Sequence, residues 1–173
     1  FVADARSSRI VLATNRKITG LENQSFLAAN VLKEAPPIQH PIRALLDDKI
    51  EFLGYDLELR YGRYTGAGDS FTITWYFRVL KPIAGNYKMF VHVDGRGLRI
   101  NGDHDPLDGK YPLRLWDKGD VIVDRQTLKV PSHFRRGNYT IYMGFFSGNT
   151  RMKVNEGPAD NEDRVNVGVL TVR

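Results

Sequence analysis

The 173-residue chain has no cysteine, no long apolar run and no basic run longer than two residues, such as Arg135-Arg136. The absence of cysteine excludes a disulfide scaffold, a thiolate zinc site, an iron–sulfur cluster and a cysteine nucleophile. Because no apolar stretch approaches 18 residues, the sequence predicts no membrane-spanning helix. Without a basic stripe, nucleic acid is not an expected partner. A chain without cysteine fits the cytosol and also a bacterial envelope compartment.

Common catalytic motifs are missing as well. The sequence has no Gly-x-Ser-x-Gly nucleophile elbow and no Gly-x-x-x-x-Gly-Lys-Ser/Thr phosphate loop. Its four histidines do not stand in a known triad motif. What the chain does have is nine Phe, eight Tyr and two Trp, with 42% hydrophobic and 26% charged residues and a formal net charge of +5. This composition is typical of one ordinary globular domain with a sizeable core.

Residues 1–49 predict a short N-terminal segment of helical and extended structure. Ser25–Ala35 contains good helix formers with its apolar residues near one face, and Asn23 or Ser25 could cap it. Pro36-Pro37 then ends the helix and begins an extended stretch. The apolar run Ile10–Ala13 is compatible with either a strand or a helical turn. We expect this segment to pack on the main domain or on a partner chain.

Residues 50–173 predict a mainly β domain, an antiparallel β-sandwich of the immunoglobulin-like or jelly-roll-like kind. Apolar and polar residues alternate in several short segments that turn residues separate. Near the end, a bulge at Gly168 would place the valines and leucine on either side of it on one face. The predicted core comprises Phe71, Ile73, Trp75, Phe77, Met89, Val91, Ile141 and Met143.

A limited resemblance covers about residues 68–146. The residues that carry it are Gly68-Asp69, Trp75-Tyr76-Phe77-Arg78, Phe90-Val91-His92-Val93-Asp94, Asn101-Gly102-Asp103-His104-Asp105-Pro106, Tyr111-Pro112-Leu113-Arg114-Leu115-Trp116, Gly119-Asp120-Val121 and Gly137-Asn138-Tyr139. This pattern resembles a β-sandwich accessory domain of bacterial envelope proteins, similar to domains found with some membrane glycosyltransferases. The resemblance implies a periplasmic or cell-envelope location and transfers no catalytic residue. Because the first residue is Phe1, we expect a processed or excised chain that could have an anchor upstream.

The segment Asn101–Trp116 is the candidate functional loop. Asp103, Asp105 and Asp108 place three carboxylates within six residues, a pattern compatible with a calcium site. The spacing is not that of an EF-hand, and Asp also forms turns by bonding its own backbone. Nearby cations could pair with the three carboxylates and make a metal unnecessary. We expect no required cofactor, with calcium as the alternative.

Histidines and aromatic residues offer two further interpretations of this region. His92 and His104, together with the Asp103–Asp108 cluster, are the candidate residues of a hydrolase, and with Asp94 and Asp103 they could also bind zinc. His104, Tyr111, Arg114 and Trp116 are the candidate ligand-binding residues, because aromatic rings stack on sugars while charged groups bond their hydroxyls. An aromatic ring that stacks on a sugar must be exposed. The alternative for Trp116 is a buried ring that packs at one end of the sandwich and closes it.

The sequence therefore favours a non-catalytic domain that binds a glycan or a cell-envelope polymer through residues 101–116. One alternative is a structural domain that docks a membrane or envelope protein within a complex. The other is the hydrolase of His92 and His104. No residue is assigned a catalytic role.

Overall fold

The structure is a computed structural model, and it describes residues 26–173. Apart from one helical turn at its start and two 3-10 turns, the described chain consists of strands and loops. Its elements are α1 (Phe26–Asn30), β1 (Val31–Leu32), β2 (His40–Leu46), β3 (Ile50–Glu58), β4 (Ser70–Val79), β5 (Lys88–Gly95), β6 (Leu98–Asn101), 3-10 turns at Pro106–Gly109 and Leu113–Leu115, β7 (Val121–Lys129), β8 (Gly137–Ser147), β9 (Thr150–Arg151), β10 (Val154–Glu156) and β11 (Val165–Val172).

The strands form two antiparallel sheets. The first has the order β1-β7-β4-β3-β2-β10, and the second has the order β11-β8-β5-β6, with the short β9 paired to β8. Side chains from both sheets meet between them. Phe77 of β4, for example, lies with its ring centroid 5.2 Å from that of Phe145 in β8. This arrangement confirms a mainly β fold with two antiparallel sheets.

The predicted core lies between the two sheets. All eight residues assigned to it from the sequence are buried, and Trp75 has no exposed surface. The predicted bulge in β11 is also present, since the register with β8 shifts between Asn166 and Gly168. Gly168 is required there by close approach, because a Cβ atom would overlap the hydroxyl of Tyr55 from the facing sheet.

The start of the described chain differs from the sequence-based expectation. The helix covers only Phe26–Asn30, whereas helix was predicted over Ser25–Ala35. Val31 and Leu32 instead pair with Ile122 and Val121 at the edge of the first sheet, so sheet pairing overrides a modest helix propensity.

The second strand, β2, belongs to the first sheet and pairs with β3, although it precedes residue 50. The alternation in β2 is interrupted by Pro41 and by a register shift, so this strand was not predicted from the sequence. The predictions for Asn23, Ser25 and Ile10–Ala13 concern residues outside the described range. Within residues 26–173, no helix has the length and hydrophobicity needed to cross a membrane.

Candidate functional site

The candidate loop begins as a continuation of the second sheet. The hairpin turn between β5 and β6 uses Arg96 and Gly97, both with positive φ, as a tight two-residue turn requires. After β6 the chain stays beside β5. His104 N–H donates to Met89 O at 2.9 Å, and Met89 N–H donates to His104 O at 2.9 Å. Leu107 and Asp108 then take left-handed conformations, with φ of 57° and 54°. The chain thereby turns away from the second sheet towards β7 of the first.

A buried carboxylate of β7, Asp124, holds the first half of the loop. Its Oδ1 accepts a hydrogen bond from Leu107 N–H at 2.7 Å, and its Oδ2 accepts one from His104 Nε2–H at 2.7 Å. The other ring nitrogen of His104 donates to Gly102 O at 3.0 Å. Because both nitrogens face oxygen acceptors, both carry protons when the two bonds are made. Burial lowers the pKa of His104, but Asp124 and Gly102 outweigh this, so the pKa lies above its ordinary value.

His104 was predicted to bind the ligand, and in the structure its ring has partners within the protein. One ring nitrogen is bonded to Gly102 in the loop and the other to Asp124 in β7. His104 lines neither of the two surface depressions that are described below. His104 is a positioning residue that ties the loop to Asp124.

A second buried carboxylate, Asp120, lies under the other half of the loop. Tyr111 Oη donates to Asp120 Oδ2 at 3.4 Å, and Lys33 Nζ lies 3.2 Å from Asp120 Oδ1. Trp116 Nε1–H donates to Tyr111 O at 2.9 Å, and its ring packs against Phe77 with centroids 6.2 Å apart. Tyr111 is 0% and Trp116 is 2% exposed. Neither ring can stack on a ligand at the surface, which corrects the role predicted for both.

The three carboxylates of the predicted calcium site face different partners. Asp105 lies 3.2 Å from Lys88 Nζ, Asp108 lies 3.6 Å from Lys110 Nζ, and Asp103 lies 3.6 Å from His92 Nε2. Across residues 26–173, no three His, Asp or Glu side chains come together as metal ligands would. Three cations lie near the carboxylates in the sequence, and of these Lys110 pairs within the loop. Arg99 instead binds Asp94, and Arg114 bonds Asn86.

A surface groove, here called the loop groove, lies between the start of β5 and the candidate loop. Its volume is about 400 Å³. Arg114 Nη1 donates to Asn86 Oδ1 at 3.0 Å on one side, and the Lys88–Asp105 ion pair lies on the other. The groove is lined by Asn86, Tyr87, Lys88, Asp105, Pro106, Gly109, Pro112 and Arg114.

A smaller cavity of about 230 Å³, here called the His92 cavity, lies on the outer face of the second sheet. His92 is buried in its wall, and burial together with the nearby Arg99 guanidinium lowers the pKa of the imidazole. The cavity is lined by Phe90, His92, Asp103, Phe146, Gly148, Asn149 and Arg151. His92 and His104 thus face different carboxylates, Asp103 and Asp124, and do not form a shared centre.

Four residues that shape the site were not predicted as site residues from the sequence. They are Asp120, Asp124, Tyr87 and Lys88. For Asp124 a signal exists: it shares the phase of Ile122 in β7, so a carboxylate stands where the alternation predicts a buried side chain. A buried carboxylate requires hydrogen-bond donors, and the neighbouring loop supplies them.

Comparison with models of known protein families finds no match, and comparison with curated proteins finds no similar sequence. The groove and the cavity themselves therefore carry the functional conclusion.

Proposed function

We propose that this chain is a non-catalytic binding domain of the bacterial cell envelope that recognises a glycan or a related envelope polymer through the loop groove. The resemblance of residues 68–146 to an envelope accessory domain supports the proposed periplasmic location. The proposed fold is a sandwich of the immunoglobulin-like or jelly-roll-like kind. The observation that carries the proposal is the composition of the groove. It combines one aromatic side chain with hydrogen-bond donors and acceptors on an open surface.

The groups in the groove suit a polyhydroxylated ligand. Asp105 offers acceptor oxygens, while Lys88, Arg114 and the amide of Asn86 offer donors. Tyr87 is half-buried and supplies an apolar wall, as ligand sites commonly combine apolar walls with a few polar groups. Two positive charges against one negative charge suit a neutral or weakly anionic glycan better than a strongly charged polymer.

The loop is also held in place before any ligand arrives. Asp124 binds Leu107 N–H and His104, and Asp120 lies beneath Tyr111. A wall fixed by buried hydrogen bonds loses little conformational entropy on binding, which favours recognition on a rigid surface.

The hydrolase alternative gains no support from the geometry. His104 has both ring nitrogens bonded, and His92 lies in a separate cavity beside Asp103. A general acid and base must reach the same reacting group, and these two rings face different partners.

A glycan array of bacterial envelope polymers tests the proposal. We expect the wild-type domain to bind at least one polymer, and the double variant Lys88→Ala/Arg114→Ala to lose binding by tenfold or more, since two charged hydrogen-bonding groups are removed. Tyr61→Ala is the matched control, because it removes an aromatic ring that is 49% exposed outside the groove. Binding that survives the double variant, or an array with no bound polymer, would contradict the proposal and favour the protein-docking alternative.

A further inference from the structure

The loop groove and the His92 cavity share one face of strand β5. Met89, Val91 and Val93 point into the core, so Lys88, Phe90 and His92 occupy the outer face. Lys88 lines the groove, whereas Phe90 and His92 line the cavity. Residues two apart on a strand are separated by about 7 Å. Lys88 is also the cross-strand partner of Phe146, which lines the cavity. The two depressions are therefore neighbours on one surface.

His92 has an unmet hydrogen-bonding requirement. It is 6% exposed, and among the described residues its Nδ1 has no hydrogen-bond partner. Its Nε2 lies 3.6 Å from Asp103 Oδ1, which is too long for a good hydrogen bond. A buried polar nitrogen without a partner costs free energy. Nδ1 is enclosed by the protein, so Nε2, which faces Asp103 in the cavity wall, is the ring nitrogen that a ligand hydroxyl would bond.

The aromatic floor of the cavity is fixed by its neighbours. Phe90 lies over Gly144 so closely that a Cβ at this glycine would come within 2.5 Å of the ring. The Arg151 guanidinium lies 4.8 Å from the centroid of Phe90, and Arg151 Nη1 donates to Glu162 O at 2.7 Å. Phe146 is half-buried at the rim and leaves part of its ring accessible.

The polar groups around the cavity are mixed in charge. Asp103 and Arg151 carry opposite charges, and the amide of Asn149 provides both a donor and an acceptor. Such a set matches a neutral ligand with several hydroxyl groups rather than an ion. The volume of about 230 Å³ is smaller than that of most drug-sized pockets and fits one small ring.

We infer that the His92 cavity is a second sugar subsite, which takes one neutral pyranose unit of the glycan that occupies the loop groove. This inference rests on the proposed function, since it adds a subsite to the groove. His92 and Asp103 bond the hydroxyls of the sugar, Arg151 and Asn149 donate from the opposite wall, and Phe146 packs on its apolar face.

The experiment uses methyl glycosides of glucose, galactose, mannose and N-acetylglucosamine as probes, added to the whole chain. Nitrogen-15 NMR follows the ring nitrogens of His92. We expect at least one glycoside to shift these resonances, and Asp103→Asn to weaken its binding by about tenfold, as the loss of one or two hydrogen bonds would. In His92→Phe, which keeps a flat ring without nitrogens, backbone amide shifts around the cavity should show the same loss. Tyr61→Ala should bind as the wild type does.

The outcome separates this inference from the proposed function. If no glycoside shifts His92, or if both cavity variants bind as tightly as the wild type, the second subsite is wrong. Polymer binding that remains sensitive to Lys88→Ala/Arg114→Ala would then leave the groove proposal intact. If a glycoside binds at His92 while no polymer binds at all, the groove proposal fails and the cavity remains as an isolated monosaccharide site. Dispersed amide spectra of each variant show that it is folded.

Discussion

At the scale of single residues, the fixed geometry of the candidate loop depends on polar groups that have left water. Asp120 is 0% and Asp124 is 2% exposed, and each accepts hydrogen bonds from the loop that crosses above it. A buried carboxylate with several donors is costly to disturb, because removing one partner leaves a charge that is only partly compensated. These two aspartates therefore fix the geometry of the loop, a role that the sequence analysis did not assign to them.

The pair of His104 and Asp124 predicts a pH dependence of stability. Because Asp124 holds the pKa of His104 above its ordinary value of 6.5, protonation favours the folded state. This stabilisation is fully present below pH 6.5 and is lost as the pH rises through the higher pKa of the folded state.

The substitution His104→Asn removes this titrating group. A comparison of the variant with the wild type therefore isolates the contribution of His104, because both proteins keep His92. We expect the advantage of the wild type over His104→Asn in the free energy of unfolding to be largest below pH 6.5 and to shrink as the pH rises. Urea denaturation at a series of pH values measures it. A difference that stays constant or grows with pH would show that His104 is not bound as a cation.

At the scale of elements, the long strands from residue 50 onward could be predicted from the sequence, whereas β1, β2 and the loop could not. The alternation around Phe71 and Ile141 placed the strands and their inner faces, because a period of two follows directly from strand geometry. No such period exists in residues 101–116, and so the burial of Tyr111 was not predictable from local pattern. Burial of Trp116 was one of two interpretations that the sequence left open. The contact between His104 and Asp124 depends on the pairing of distant segments, which a single sequence does not reveal.

The bulge in β11 gives a prediction at this scale. Gly168→Ala should lower the free energy of unfolding by about 1–3 kcal/mol, because the new methyl group meets the Tyr55 hydroxyl in a packed core. Adding Tyr55→Phe removes that hydroxyl and should recover part of the loss. Gly148→Ala is the control, since it has positive φ but open space around it, and it should cost about 1 kcal/mol or less. Thermal melts of the wild type, the two single glycine variants and the double variant measure these changes in stability. Equal losses of stability in Gly168→Ala and Gly148→Ala would contradict the proposed contact with Tyr55.

The acidic loop predicts no calcium-dependent stability. Asp103, Asp105 and Asp108 face three different partners and do not converge on one ion. A melting curve in millimolar calcium should therefore match the curve in chelator. A bound ion at about a hundredfold excess over its dissociation constant would instead add about 2.7 kcal/mol. A large upward shift that disappears in Asp103→Asn and in Asp105→Asn would establish a calcium site.

At the scale of the whole molecule, two sheets enclose one aromatic core, and Trp75 lies in it with no exposed surface. Trp75→Ala should lower the free energy of unfolding by about 3–5 kcal/mol, because it leaves a cavity the size of a large aromatic side chain. Chemical denaturation monitored by far-UV circular dichroism measures the loss. Tyr61→Ala, at an exposed position, should change stability by about 0.5 kcal/mol or less. A comparable effect of the two substitutions would be incompatible with the described core.

The loop groove and the His92 cavity both lie on the outer face of the second sheet, next to each other along β5. The first sheet contributes Asp120 from the loop before β7 and Asp124 from β7 itself, and the second sheet contributes the floor. If the proposed function holds, recognition and stability depend on different residues. The groove variants should leave the fold intact, whereas substitutions at Asp120 or Asp124 should disturb both.

The most direct test of the central claim is an amide NMR titration of the wild-type chain with an envelope oligosaccharide that it binds on the array. We predict that the largest shifts fall on residues 86–88 and 105–114, with a second group around His92 and Asp103, and that Lys88→Ala/Arg114→Ala abolishes them. Shifts centred instead on the stacked rings of Tyr61 and Tyr64, or unchanged in the double variant, would show that the loop groove is not the recognition surface.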